Sequence, residues 1–123
     1  MKVFWTKSAL ASLYDIYKYY NKNVSITIAY KVRDNILTVA SQLEKHSHIG
    51  QVEELLKEME GGHRYIVKDN YKIIYKIQTN KIYITDVFDT RQDPDKIKER
   101  NKWTTHSLGN IWLFASNQLP VAW

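Results

Sequence analysis

The chain of 123 residues contains no cysteine and no long apolar run. Without cysteine, neither a disulfide framework nor a thiolate metal site can form, so stability must come from packing. No stretch approaches the length of a membrane span, and the N-terminus lacks an apolar segment of signal-peptide length. We therefore expect a cytoplasmic protein with no membrane association, whose mature form starts near Met1.

The chain has the length of one domain and a positive charge. Its 18 Lys and Arg residues exceed its 13 Asp and Glu residues, which gives a net charge of +5. Such a surplus suits an acidic partner, either a nucleic acid or an anionic protein segment. Solubility alone also accounts for it.

The first third of the sequence predicts a strand followed by two helices. The apolar segment Val3 to Trp5 ends at Thr6, a good helix N-cap residue, and Ser8 is a second N-cap candidate. Apolar residues then recur at spacings of three and four between Ala9 and Tyr20, which is typical of a helix packed on one face. A second helix opens at Val24 or Ser25, and the two helices are expected to form an antiparallel hairpin. The predicted apolar face of the second helix consists of Ile28, Val32, Ile36, Val39 and Leu43.

Three segments rich in Ile, Val, Tyr and Phe follow, which predict an antiparallel meander: HRYIVKD (63–69), YKIIYKIQ (71–78) and KIYITDVFD (81–89). Side chains alternate along a strand, so Lys72 and Lys76 lie with Ile74 on one face of the middle segment and apolar residues lie on the other. We expect the helical hairpin to cover the apolar face and the basic face to stay open to a partner, in an α+β fold.

The C-terminal part changes in composition. Asp93 as N-cap and Pro94 as first helical residue predict a short charged helix that runs to about Lys102. Residues 103–123 contain no Lys, Arg, Asp or Glu but hold three of the four Trp residues. We divide the chain into a domain at 1–102 and a tail at 103–123, which packs on the domain, covers a partner or lies outside the fold.

The order of strand, helical hairpin and antiparallel strands, with HRYIVKDNYKIIYKI and IYITDVFDTRQDP, resembles the RelE/ParE superfamily of bacterial type II toxin–antitoxin toxins. The resemblance covers roughly residues 2–100, and the opening WTKSALASLYDIYKYY is in keeping with it. It implies an N-terminal strand and an antiparallel helix hairpin packed on a small, mainly antiparallel sheet. It also implies a toxin that arrests growth and forms a hetero-oligomer with a cognate antitoxin.

Two activities divide this superfamily, and the resemblance implies site residues for one of them. RelE-like members enter the ribosome and cleave mRNA without a metal, whereas ParE-like members inhibit DNA gyrase. Cleavage needs a base, an acid, and cations that hold the developing negative charge. Lys72 takes the place of an arginine in the RelE-type strand, and Arg91 matches a basic residue near the end of the last strand. Arg64 lies on the adjacent strand, and His63 is the candidate acid or base.

Each candidate also has a purely structural interpretation. Lys72 can belong to a solvated sheet face, and Lys lacks the planar two-point phosphate clamp of Arg. His63 can be an ordinary surface residue. Arg91 can pair with a nearby carboxylate: Asp86, Asp89 or Asp93.

The sequence therefore predicts a toxin that cleaves mRNA on the ribosome. The predicted catalytic residues are Lys72, Arg91, Arg64 and His63, and no cofactor is expected. His46 and His48 predict a polar loop rather than a metal site. A gyrase inhibitor without nuclease activity and an inactive antitoxin-binding module remain open.

The antitoxin contact follows from charge. An acidic, partly disordered segment is expected to fold across the helix hairpin and the basic sheet face. Tyr14, Tyr19 and Tyr30 fall off the main apolar stripes, so they either anchor such a segment or pack in an aromatic-rich core.

Overall fold

A computed structural model of the protein describes residues 1–57, 62–101, 113–116, 118–119 and 123. Within these ranges the chain forms six strands and three α-helices, joined in part by two short 3₁₀ turns at Gln42–Glu44 and Glu54–Leu56. In chain order the elements are β1 (Val3–Thr6), α1 (Lys7–Asn23), α2 (Ile26–Ser41), β2 (Gln51–Val52), β3 (Arg64–Lys68), β4 (Tyr71–Gln78), β5 (Lys81–Asp89), α3 (Asp95–Arg100) and β6 (Leu113–Ala115).

The six strands form one sheet in the order β2-β3-β4-β5-β1-β6. β1 runs parallel to β5, and every other neighbouring pair is antiparallel. The α1–α2 hairpin packs on one face of this sheet. The predicted α+β class, with an N-terminal strand and a helical hairpin on a mainly antiparallel sheet, is confirmed.

Two hydroxyl groups start the two long helices, as the sequence predicts. The Oγ1 of Thr6 accepts a hydrogen bond from the backbone N of Ala9 at 3.1 Å and donates one to the carbonyl of Ile84 at 2.9 Å. Ser25 caps α2 by accepting from the backbone N of Ile28 at 3.1 Å. Thr6 therefore joins the end of β1, the start of α1 and strand β5 through one buried side chain.

The main core lies between the hairpin and the sheet. Its largest buried side chains come from both: Val3, Trp5, Leu10, Leu13, Ile36, Leu43, Tyr71, Ile73, Tyr75, Ile82, Ile84 and Val87. The predicted apolar face of α2 is wrong at its first residue, Ile28. Ile28 is 37% exposed, whereas the adjacent Ala29 is fully buried. Since neighbouring helical positions point about 100° apart, the buried stripe starts one residue later than the pattern of large apolar residues suggested.

The predicted open basic face of β4 is wrong. Ile74 belongs to a second buried cluster on that face, together with Leu56, Phe88 and Ile97. The turn at Glu54–Leu56 and helix α3 contact each other over this cluster. Lys76 is 2% exposed. Both faces of β4 are therefore covered.

Helix α3 begins at Asp95, one residue later than expected, with Pro94 as its cap residue. The side chain of Asp93 accepts from the backbone N of Asp95 at 3.0 Å. The helix ends at Arg100, and the predicted end near Lys102 lies outside the described residues.

Part of the tail adds to the sheet. Leu113–Ala115 form β6, which pairs antiparallel with β1 on the side that β5 leaves open. Residues 103–112, 117 and 120–122 lie outside the described part of the chain. None of the helices in the described ranges is long and apolar enough to cross a membrane.

The Thr6→Ala variant should lose about 2 kcal/mol of unfolding free energy, because it removes a helix cap and leaves a buried carbonyl without its donor. Urea denaturation of the purified variant measures this loss. Thr6→Ser keeps the hydroxyl and is the matched control. Equal stability of the alanine and serine variants would contradict the role assigned to the hydroxyl.

Candidate functional site

Lys72, the first predicted phosphate ligand, is held in an internal ion pair. Its Nζ lies 2.9 Å from Oε2 of Glu53, whose side chain is 2% exposed. The same Nζ lies 4.3 Å from the ring centroid of Tyr65 on β3. The other oxygen of Glu53, Oε1, accepts from the backbone N of Leu55 at 3.2 Å and starts the adjacent 3₁₀ turn. The ammonium group is thus directed at a buried carboxylate and an aromatic face rather than at solvent.

His63 lies beside the same carboxylate residue but inside the protein. Its carbonyl accepts from the backbone N of Glu53 at 2.9 Å, and the residue is 1% exposed. Burial, followed by the nearby charge of Lys76, lowers the pKa of His63 to about 4. The imidazole is therefore neutral at physiological pH, and a neutral ring is a far weaker proton donor than an imidazolium.

Arg64 points to the opposite face of the sheet from Lys72. It pairs with Tyr75 across β3 and β4, and directly opposed residues share a face. Its Nη1 donates to the carbonyl of Gly50 at 2.8 Å. The hydroxyl of Tyr75 accepts from the backbone N of Gly50 at 3.0 Å and donates to the carbonyl of Ser47 at 2.9 Å. Arg64 and Tyr75 together fix the loop before β2, where a side chain at Gly50 would collide with the Tyr75 ring.

Arg91 follows β5 and forms a two-point ion pair with Asp89. Its Nε lies 3.0 Å from Oδ1 of Asp89, and its Nη2 lies 2.8 Å from Oδ2. Hydrogen bonds from Arg91 hold the pKa of the Asp89 carboxyl below its usual range. This is one of the three carboxylate pairings that the sequence allowed. The Arg91 side chain is still 54% exposed.

Arg91 lies at a groove that sequence patterns did not reveal. The groove has a volume of about 520 Å³ and runs between α1 and the ends of β4 and β5. The polar residues that line it include Ser12, Asp15, Tyr19, Tyr71, Arg91 and Arg100. Charges of both signs are present, so the groove is not a uniformly cationic phosphate site.

Asp86 joins three elements next to this groove. Its Oδ1 accepts from Arg100 Nη2 at 2.6 Å and from the Ser12 hydroxyl at 3.0 Å, and its Oδ2 accepts from Asn101 Nδ2 at 3.3 Å. Burial raises the pKa of Asp86, although Arg100 and the other donors oppose the shift. The only sequence signal for this network was an Asp inside the apolar segment KIYITDVFD.

Tyr71, one of the tyrosines that line the groove, is a poor proton donor. Tyr71 donates a hydrogen bond to the hydroxyl of Tyr20 at 3.1 Å. Burial, and then this pairing with Tyr20, raises the pKa of Tyr71 above its ordinary value. A phenol with a raised pKa gives up its proton less readily.

Among the described residues, no group of three or more His, Asp or Glu side chains could hold a metal ion. His46 and His48 are exposed in the polar loop that the sequence predicted. Nδ1 of His48 lies 3.1 Å from the hydroxyl of Ser47.

Tyr14, Tyr19 and Tyr30, which the sequence assigned either to a partner anchor or to an aromatic-rich core, are all exposed on the helical hairpin. Tyr14 is 39% exposed, Tyr30 is 38% exposed and Tyr19 is 56% exposed. Tyr14 and Tyr30 each lie beside the ring of Tyr17, with centroid distances of 6.2 and 5.6 Å. The hairpin therefore offers aromatic surface to a partner, even though part of it is in mutual contact.

A family profile described as "ParE toxin of type II toxin-antitoxin system, parDE" matches residues 3–94. The chain belongs to the ParE toxin family. A similar solved structure comes from the chromosomal ParDE toxin–antitoxin system of P. aeruginosa, at 21% identity and a TM-score of 0.61. The match covers 72% of this chain and 95% of that chain. A search of curated proteins returned no match.

These comparisons confirm the predicted RelE/ParE superfamily membership and the fold. This chain is a member of the ParE toxins of type II toxin–antitoxin systems. The family match ends at residue 94, so α3 and the tail lie beyond it.

Replacing Lys72 with Met should lower the unfolding free energy by about 3 kcal/mol at pH 7, because it leaves the Glu53 carboxylate buried without its counter-charge. Urea denaturation measures this. Lys57→Met is the matched control, since the Lys57–Glu54 pair is exposed and its charged atoms are 3.8 Å apart. The control should change stability by less than about 1 kcal/mol.

The double variant Lys72→Met, Glu53→Gln should recover part of the loss, because it removes the uncompensated charge as well. If Lys72→Met is no more harmful than Lys57→Met, the ion pair does not have the assigned structural role.

Stability should fall as the pH is lowered from 6.5 towards 4. In this range the unfolded chain takes up a proton at His63 while the folded chain does not, since the pKa in the folded state is about 4. The difference in pKa amounts to about 3 kcal/mol in total.

The His63→Gln variant should lose this part of the pH dependence, which urea denaturation at a series of pH values measures. His46→Gln, at an exposed loop position, should keep the slope of the unmodified protein. Identical slopes for His63→Gln and the unmodified protein would show that the pKa of His63 is not lowered by folding.

Proposed function

We propose that this ParE toxin arrests growth by binding a protein target, as an inhibitor of DNA gyrase, and not by cleaving mRNA. The observation that carries this proposal is that the predicted catalytic cations are engaged by the protein itself. Lys72 is bound by Glu53, and Arg91 is bound by Asp89 at two points. Membership of the ParE family supports the same conclusion, because the superfamily's gyrase inhibitors are its ParE-like members.

Nuclease chemistry would require these cations to serve a phosphate as well as their carboxylate partners. A phosphate that bound Lys72 would share the ammonium group with the buried carboxylate of Glu53, which already neutralises its charge. The cleavage reaction would also need an acid and a base. His63 is buried and has a lowered pKa, and burial raises the pKa of Tyr71.

One observation still favours ribosome-dependent mRNA cleavage, the activity that the sequence predicted first. The side chain of Arg91 is 54% exposed and lines the groove beside α1. A bound RNA phosphate could compete with Asp89 for it. Arg91 is therefore the residue whose replacement separates the two activities.

The proposed antitoxin contact uses the charge of the hairpin. Helices α1 and α2 carry five basic residues, Lys7, Lys18, Lys22, Lys31 and Arg33, against the two acidic residues Asp15 and Asp34. An acidic antitoxin segment that covers the hairpin would neutralise this surplus and bury its exposed tyrosines. The complex would be a hetero-oligomer in the cytoplasm, where both proposed targets are found.

Purified protein should inhibit supercoiling of relaxed plasmid by gyrase and should leave a defined messenger intact in a reconstituted translation system. The two assays are run in parallel with the same preparation. Gel electrophoresis of the plasmid and mapping of messenger ends give the two readouts.

Arg91→Ala is the discriminating variant. The proposal is overturned if the unmodified protein cuts the messenger on the ribosome and Arg91→Ala cuts it at least about a hundredfold less. That result would establish the nuclease activity. No effect in either assay would leave the antitoxin-binding module as the remaining function.

A further inference from the structure

The C-terminal segment contacts the domain at two separate places. At the first, β6 pairs with the outer edge of β1, where Phe4 faces Ala115 and Thr6 faces Leu113. The backbone N of Ser116 extends the pairing by donating to the carbonyl of Val3 at 2.9 Å. This strand covers an edge that would otherwise present free backbone groups to another chain.

The second contact is made by one aromatic side chain. The ring of Trp123 lies 5.1 Å from the ring of Tyr14 and 5.2 Å from that of Tyr17, between centroids. The guanidinium of Arg33 lies 5.9 Å from the Trp123 ring and 4.7 Å from the Tyr30 ring. We call Tyr14, Tyr17, Tyr30 and Arg33 the hairpin aromatic cluster.

Residues 113–116 together with Trp123 form what we call the C-terminal strap. The strap has no charged side chain, whereas the hairpin below it carries five basic and two acidic residues. It therefore covers part of the surface without adding a charged side chain, and beyond the pairs Arg33–Asp34 and Lys18–Asp15 the hairpin keeps a net positive charge. A segment with the same aromatic anchor and additional carboxylates would complement the surface better.

The strap is held by a short strand and by partly buried side chains, of which Phe114 and Trp123 pack against the main core. Its strand has three residues and lies at the edge of the sheet, and Leu113, Phe114 and Ala115 are only partly buried. Short edge strands with few buried contacts are the elements that open most readily. The covalent link to the domain adds to these contacts, because it gives the strap a high effective concentration.

We propose that the C-terminal strap is a displaceable internal occupant of a protein-binding surface formed by the edge of β1 and the hairpin aromatic cluster. The external occupant is an extended acidic protein segment with an aromatic anchor, which adds a strand to β1 and places its ring against Tyr14 and Tyr17. The strap then lowers the affinity of the toxin for that segment until it is released. This inference concerns the regulation of the antitoxin contact and rests on that part of the proposed function.

The test uses the full chain and a defined peptide. The probe is a fluorescent peptide with the sequence of residues 111–123 in which Gln118 is replaced by Glu, whereas Ser116 is kept because its hydroxyl donates to the carboxylate of Glu44 at 3.3 Å. Its binding to the unmodified protein and to the Trp123→Ala variant is measured by fluorescence anisotropy at low salt. Trp123→Ala should bind it about tenfold more tightly or better, because the internal competitor has lost its anchor.

Two variants and one peptide serve as controls. Trp123→Phe keeps an aromatic ring and should bind the probe like the unmodified protein. Adding Tyr14→Ala to Trp123→Ala should weaken binding about tenfold, since it removes an exposed part of the surface. The uncharged parent peptide should bind less tightly than the acidic probe, and the difference should shrink in high salt.

Equal affinity of the probe for the unmodified protein and Trp123→Ala, or no binding to either, would overturn the proposal. A Trp123→Ala protein that dimerises in size-exclusion chromatography would overturn it as well, because the occupant would then be a second copy of the chain. The peptide assay contains no gyrase, ribosome or antitoxin. Failure of the proposed cellular target therefore leaves its result unchanged.

Discussion

Strand β4 is buried on both of its faces, and this constraint determines what its lysines can do. One face packs under the helical hairpin through Ile73 and Tyr75, and the other packs against Phe88 and Ile97 through Ile74. A lysine on such a strand needs an internal partner, because an unpaired buried charge is very unfavourable. Glu53 supplies the partner for Lys72 and directs its side chain along the surface of Tyr65.

The same constraint separates the residues that a nuclease site would have to combine. Arg64 and Lys72 point to opposite faces of the sheet, and each has a partner within the protein. His63 is enclosed near Lys76, which favours its neutral form. The cations on these strands therefore stabilise the loop before β2 and the turn at Glu54–Leu56. In the part of the chain that the structure describes, the outer surface of the hairpin and the groove beside α1 are still open to bind a partner.

Local patterns predicted the elements that depend on local physics. The cap at Thr6, the start of the second helix near Val24 or Ser25, the alternation along β4 and the helical hairpin all follow from side-chain chemistry within a few residues. The burial of the second sheet face, under α3 and the turn at Glu54–Leu56, could not be predicted in this way. It depends on Glu53, which is 19 residues before Lys72 in the chain, and on α3, which returns over Ile74 after β5. The basic pattern KIIYK indicated a solvated face, because neither Glu53 nor α3 lies near these residues in the sequence.

The contacts of the tail were unpredictable for a related reason. Leu113–Ala115 form a strand only because β1 leaves one edge unpaired. That edge is open because β1 lies beyond β5 in the sheet, next to no other strand of the meander. The strand order cannot be read from any short stretch of the sequence. The groove beside α1 depends likewise on contacts between Ser12, Asp86 and Arg100, which are far apart in the chain.

The central claim is that the lysines of β4 belong to the interior of the fold, and amine acylation followed by mass spectrometry tests it most directly. Limited acetylation of the native protein gives a rate for each lysine. Lys72 and Lys76 should react about tenfold more slowly than the exposed Lys57 and Lys81, because their side chains are paired or buried. Equal rates at all four positions would mean that the basic face of β4 is open to an anionic partner after all.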